Sequence, residues 1–432
     1  MSAHHARRGM LVAVAVLSTM LLSAPARADT VTQWNEIAAN ALLRDANQGA
    51  AVANANLAMI HGAVYDAVNA IDGRYEPYLV APPAKRWYSQ DAAAATAAYR
   101  VLVDSQPALL PPAQQPALVS YVTPLYDAAL AAIPAGRAKD GGVATGNAAA
   151  DAMIAARAND GRFGPFRFAV GTLPGQWRPV LPAFVNDPGA WLKDVKPFVI
   201  DDPSRFAGDP PYPLTSRRYA DELDEVKTLG AIDSTTRTPD QTAAGRFWGL
   251  TNAGATWASL VRAIAGTDGR STADHARMFA LVYLPAADAG ITVWGDKAKF
   301  SFWRPITAIR EADTDGNPRT VADPDWLPLV PTPPYPDQPS GLSALGGAGA
   351  TALEDFYGTD AFTFGTTNAI GITRSYASFS QVAREIVGAR VWSGIHFRHT
   401  DETGVAIGER VARYVDHHAL QPAHDHHGGG RF

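Results

Sequence analysis

The sequence predicts an all-α protein in two packed helical halves joined by long proline-rich connections, on three observations. Apolar residues recur at intervals of three and four, as in Leu57, Ile60, Val64 and Val68 and again in Phe279, Val282, Tyr283 and Ala286, the period of a helix with one buried face. Proline-rich stretches separate the periodic segments, and no strand-like alternation persists between them. The chain has 432 residues, 47% of them hydrophobic, and no cysteine. It is therefore long enough for a large core without disulfides, and thiolate catalysis and cysteine metal sites are excluded.

Residues 1–28 have the layout of a cleaved secretory signal: basic Arg7 and Arg8, an apolar run from Met10 to Leu22, and small residues ending Ala26-Arg27-Ala28. The run is short for a bilayer span, and no later segment has ~20 uninterrupted apolar residues. The mature protein is thus expected outside the cytoplasm, without stable membrane insertion. The formal net charge of −5 becomes more negative when Arg7, Arg8 and Arg27 are removed, which argues against nucleic acid as a partner.

An N-terminal half is expected over 29–215, with helices at 31–71, 90–110, 116–133 and 138–159, stopped in turn by Pro111-Pro112 and Asp160-Gly161. His61, Tyr65 and Asp66 lie on or beside the first stripe and read as hydrogen-bonded core groups. From 162 to 213 the periodicity fails, giving an irregular connection whose aromatic residues serve as packing anchors. A C-terminal half over 216–415 resumes with helices at 216–229, 238–248, 257–265 and 272–294. Further helices are expected at 306–310, from Ser340 to 356, and at 373–391. Asp288 sits among small and apolar residues, and a buried acid needs a partner, so a cation or imidazole is expected beside it. The connection 311–338 is rich in proline, with a turn at 313–317, and 416–432 reads as a flexible His/Gly tail with incidental metal affinity.

Three segments carry chemistry. Lys297 and Arg304 are seven residues apart, about two helical turns, with Phe300, Phe302 and Trp303 between them. Two cations side by side in an apolar setting call for an anion, although Lys297 alone reads equally as a solvated lysine. Ser340-Gly341 opens a helix, where free N–H groups and the dipole favour an anion; Ser340 is also simply a good N-cap. Arg390 and His396 are six apart, so a break near Gly394 is needed for both to reach one ion.

Lys297 through Pro305 fits the pattern lysine, six residues, Arg-Pro; Pro339-Ser340-Gly341 fits most of Pro-Ser-Gly-His; and Ala389-Arg390 with His396 fits Ser-Arg, five residues, His. In order and spacing the chain resembles the vanadium-dependent haloperoxidase and type 2 phosphatidic acid phosphatase superfamily, and the stretch from Ala58 to Asn69 is similar to its bacterial haloperoxidase-like branch. The resemblance implies two packed helical bundles around one oxyanion, vanadate, with phosphate as competitor. It implies that Lys297, Arg304, Ser340, Gly341 and Arg390 bind the oxygens and that His396 bonds the vanadium. Trp294 and Tyr335 would wall a pocket that also includes Leu342 and Asp288. With vanadate, hydrogen peroxide would oxidise halide or a small organic substrate; with a phosphate ester, His396 would be the nucleophile.

The departures from that pattern are as informative. Leu342 replaces the motif histidine and cannot carry a proton, a role typically worth ~10²- to 10⁴-fold. Ala389 replaces the serine, and the aspartate falls one place late at Asp401. His399, one turn beyond His396, and His61 are the candidates to take over proton transfer. Oxyanion binding therefore survives the comparison better than ordinary catalysis, and a phosphatase-like hydrolase and an oxyanion binder without turnover stand as alternatives.

Overall fold

The computed structural model describes residues 29–423; the signal segment and the tail from residue 424 lie outside the described residues. The N-terminal half consists of α1 (Thr30–Ala39), α2 (Ala50–Asp72), α3 (Gln90–Asp104), α4 (Gln115–Ala131) and α5 (Arg137–Ala156). The single helix expected over 31–71 is two helices, because the chain widens into a π-helical turn at Asn40–Asp45 and then bends where Asn47 takes a φ of 47°. α3 ends earlier than expected: Ser105 turns extended, with ψ 137°, ahead of Pro107.

The C-terminal half carries α6 (Arg217–Gly230), α7 (Pro239–Gly249), α8 (Ala253–Asp268), α9 (Thr272–Phe300), α10 (Pro305–Arg310) and α11 (Gly341–Tyr357). It closes with α12 (Phe379–Trp392) and α13 (Arg398–His418). The class is all-α, with one correction: between α11 and α12 lies an antiparallel hairpin of β1 (Ala361–Thr367) and β2 (Thr373–Ser378). Residues 373–378 were expected to be helical. They are strand because Phe364 and Tyr376 form a buried cross-strand aromatic pair, 5.6 Å between centroids, which packs on Phe379 at the start of α12. A second correction concerns the tail, since α13 runs to His418 and so includes Asp416, His417 and His418.

α9 is the axis of the molecule. Ser271 and Asp274 close its start as a capping box, an arrangement typically worth ~1 kcal/mol. Phe279, Val282, Tyr283 and Leu284 are fully buried, each contributing ~1.5–3 kcal/mol on leaving water. By length and hydropathy α9 could cross a bilayer, but 94% of its apolar window is buried within the protein, the position of a core helix. α2 packs along it, and one apolar cluster runs from Val31 to Leu420, so the two halves share a core. A smaller cluster, including Trp303, Ile306, Val391 and Phe397, lies at the ends of α9 and α12.

α13 lies against α11 backbone to backbone. A Cβ at Gly404 would stand 2.4 Å from the carbonyl oxygen of Ser340, and one at Gly408 would stand 2.1 Å from that of Ala344. Only glycine permits this approach, and it brings the first turn of α13 beside the start of α11.

Candidate functional site

The three chemistry-bearing segments meet where helices end. α9 stops at Phe300, Ser301 takes a left-handed φ of 42°, and Arg304 is the N-cap residue of α10. Lys297 and Arg304 therefore do not share a helix face, as their spacing had suggested; the chain reverses between them. That reversal is tied to the irregular connection, with Trp177 N–H donating to Ser301 O at 2.7 Å and Trp303 N–H donating to Gly175 O at 3.0 Å. Ser340 caps α11, its hydroxyl accepting from Ser343 N–H at 3.4 Å, and the Trp294 indole lies over Gly341, 2.8 Å from where a Cβ would be. Between α12 and α13 the helix breaks at Gly394, whose φ of 78° suits glycine.

The result is a buried polar centre. Lys297, Arg304, Ser340 and His396 are at most 1% exposed, and Arg390 is 6% exposed. Lys297 Nζ donates to the carbonyls of Pro336 (2.6 Å) and Asp337 (2.8 Å) and lies 5.0 Å from the Tyr335 ring centroid. Arg304 donates through Nε to Tyr335 O at 2.7 Å and through Nη1 to Ile395 O at 2.8 Å. His396 Nδ1 lies 2.7 Å from Asp337 Oδ1, and Thr400 donates to Asp337 Oδ2 at 2.6 Å. With Nδ1–H donated to the carboxylate, the Nε2 lone pair of His396 is the basic position, 3.2 Å from Arg304 Nη1. Arg390 donates to Trp248 O at 3.2 Å.

Three cations face two carboxylates here, Asp337 and Asp401. Burial, then Arg304 and Arg390, push His396 well below its ordinary value, so it is a neutral imidazole at pH 7. Burial also lowers Lys297, reinforced by Arg304. Burial raises Asp337 to about 6 against the pull of Arg304, leaving it mostly ionised at neutral pH. Burial raises Asp401 to about 7, opposed first by Arg390 and then by Ser343. Asp401 Oδ1 accepts from Ser343 Oγ at 2.8 Å. Arg304 Nη2, Arg390 Nε and Asp401 Oδ2 are buried without a partner among the described residues. Unpaired buried guanidinium N–H groups are costly in isolation, and an oxyanion is the ligand that satisfies them.

Other expected site residues lie elsewhere. Asp288 is bound to neither cation nor imidazole: its carboxylate accepts from the backbone N–H groups of Phe198, Val199 and Ile200 at 2.6, 2.8 and 3.0 Å. It clamps the long connection onto α9. His399 is turned outward, Nε2 bonding Pro210 O at 3.0 Å with its ring stacked on Tyr212. His61 stacks against both Phe279 and Tyr283 and bonds Asn35 at 2.9 Å, in the core near the first half of α9. Leu342 is buried in the first turn of α11. Trp294 and Tyr335 pack together, 5.1 Å between centroids.

Asp337, Thr400 and Ser343 are the polar partners that sequence reading did not single out. The available signal was an acid, Asp337, set between Pro336 and Gln338-Pro339 directly ahead of Ser340. Such a residue is fixed by its prolines and placed to reach whatever the helix start faces.

Comparisons with known proteins bear on the same region. The family described as the VCPO second helical-bundle domain matches residues 277–425. Vanadium chloroperoxidase of Curvularia inaequalis is 33% identical over 184 residues, which are 35% of this chain and 30% of that protein, so the match spans under a third of that relative. A bacterial vanadium-dependent iodoperoxidase structure superposes with a TM-score of 0.76 at 23% identity, covering 92% of this chain and 96% of that one. A holo-type bacterial vanadium-dependent chloroperoxidase gives 0.67 at 18% identity, covering 86% and 93%. These two structures have the same fold as this chain.

Proposed function

We propose that the chain is a member of the vanadium-dependent haloperoxidase and type 2 phosphatidic acid phosphatase superfamily, a reading supported by the family match over residues 277–425 and the curated relative, and that it binds vanadate at the buried centre and uses hydrogen peroxide to oxidise halide, acting outside the cytoplasm. The observation that carries this reading is the cluster of buried cations around neutral His396, with two guanidinium N–H positions unpartnered. The donor set fits a tetrahedral oxyanion. Lys297, Arg304 and Arg390 would hold its oxygens together with Ser340 and the N-terminus of α11 at Gly341, and His396 would take the central atom through Nε2. When bound, vanadate supplies peroxide activation.

The chain's own residues do the rest. Asp337 fixes the tautomer and orientation of His396. The Trp294 and Tyr335 rings lie against Lys297 and Arg304 and form one wall of the centre. Leu342 gives no proton transfer, and Asp401 takes that role in this reading. Its unpartnered oxygen and its position opposite Arg390 suit a carboxyl that holds a proton while an anion is bound.

The test is iodide oxidation by hydrogen peroxide with and without added vanadate. Vanadate-dependent triiodide formation supports the reading; hydrolysis of an aryl phosphate without vanadate, and no oxidation, would replace it with a phosphatase.

A further inference from the structure

Beside the oxyanion centre lies a cavity of ≈ 390 Å³ between the start of α2, the long connection and those two rings. Its walls include two aromatic pairs: Trp294 with Tyr335, 5.1 Å apart, and Phe163 with Trp191, 4.9 Å apart. The first pair is the one that holds Lys297 and Arg304, so cavity and centre share a wall. Phe163 is 44% exposed at the other side and sits at a φ of 62°, a strained backbone for a bulky residue.

The two charged groups in the wall differ in availability. Asp187 is committed, its oxygens accepting from Gly189 N–H at 2.8 Å and Trp294 Nε1 at 3.2 Å. Arg167 donates to the adjacent Phe166 carbonyl at 2.7 Å and pairs with no carboxylate among the described residues. A planar ring is favoured by aromatic walls and an anionic group by a free guanidinium.

We propose that this cavity binds the organic acceptor of the reaction, an aromatic molecule bearing a carboxylate, its ring between the two aromatic pairs and its anion at Arg167. The binding claim stands on the cavity, and the chemistry rests on the haloperoxidase reading above. Hypohalous acid formed at the centre meets the ring held at the shared wall. A carbon–halogen bond forms, a ring C–H bond breaks, and the ring proton leaves with the hydroxyl of the acid as water.

The experiment uses the full chain and 4-hydroxybenzoate as probe, with methyl 4-hydroxybenzoate and cyclohexanecarboxylate as controls, each titrated calorimetrically without vanadate. Saturable binding of 4-hydroxybenzoate, at least ~10-fold tighter than either control, is expected. Arg167→Gln should weaken the acid ~10-fold and leave the ester unchanged, while Phe163→Gly, which keeps the backbone turn, should weaken both. In turnover Arg167→Gln should raise the KM for 4-hydroxybenzoate and leave iodide oxidation, which needs no organic acceptor, at the parent rate. Equal binding of acid and ester, or none, overturns the proposal. Absence of iodide oxidation with the binding pattern intact overturns the haloperoxidase reading and leaves the binding site standing.

Discussion

A carboxyl group raised to about 7 with one oxygen unpaired, as in Asp401, can hold or release a proton across the neutral range. Asp401→Asn is therefore expected to lower the turnover of vanadate-dependent iodide oxidation by up to ~10²-fold while leaving vanadate affinity within a few-fold. Adding Leu342→His to that variant should recover part of the loss, because the imidazole would stand in the first turn of α11. Steady-state kinetics beside calorimetric binding separates the two effects, and a parental rate for Asp401→Asn would assign the proton elsewhere. Motif spacing fixes residue types, and on that basis Lys297, Arg304, Ser340, Gly341, Arg390 and His396 are expected as a set from the sequence alone. Asp337 is not singled out, and Asp401 enters only as the motif aspartate one place late, since an acid gains its role from what folding places beside it: His396 for the first and Ser343 with Arg390 for the second.

At the scale of elements, the centre is built from terminations: the end of α9, the start of α11, and the break between α12 and α13. Most helices and many of their boundaries were readable from the apolar period and from glycine and proline stops, as at Gly358 after α11; α13 was not among the helices expected. The reversal at Ser301 was not readable, because Lys297 to Arg304 carries no glycine and Pro305 suits the first turn of a new helix as well as a kink. The hairpin was missed because its buried pair, Phe364 and Tyr376, is paired across strands and invisible to a helical window. The α11–α13 contact gives this scale its prediction. Gly408→Ala places a methyl 2.1 Å from Ala344 O and should cost ~1–3 kcal/mol of stability. It should also weaken vanadate binding by shifting the α13 start against Ser340. Thermal denaturation and calorimetry check both, and a variant as stable and as tight-binding as the parent would mean that the helices slide freely.

For the whole molecule, the shared core buries the charged groups of the centre together, so anion binding and protonation are linked. Asp401 and Asp337 are raised by burial to about 7 and about 6. The folded state thus holds protons at pH values where the unfolded chain has lost them, and the stabilisation this gives falls progressively as pH rises from about 4 to between 6 and 7. An anion arriving among them favours their protonated forms, so sulfate, which does not itself titrate in this range, should bind more tightly at pH 6 than at pH 8, by up to ~10-fold for each linked proton per pH unit. Asp401→Asn should flatten that dependence; a parental dependence in the variant would exclude Asp401. The most direct test of the central claim, that the three segments make one oxyanion centre, is calorimetric titration of the full chain with vanadate beside Arg390→Ala and His396→Ala. One equivalent of saturable binding in the parent, weakened by at least ~10-fold in each variant and displaced by phosphate, is the predicted result. No saturable binding, or equal binding in all three proteins, would contradict it.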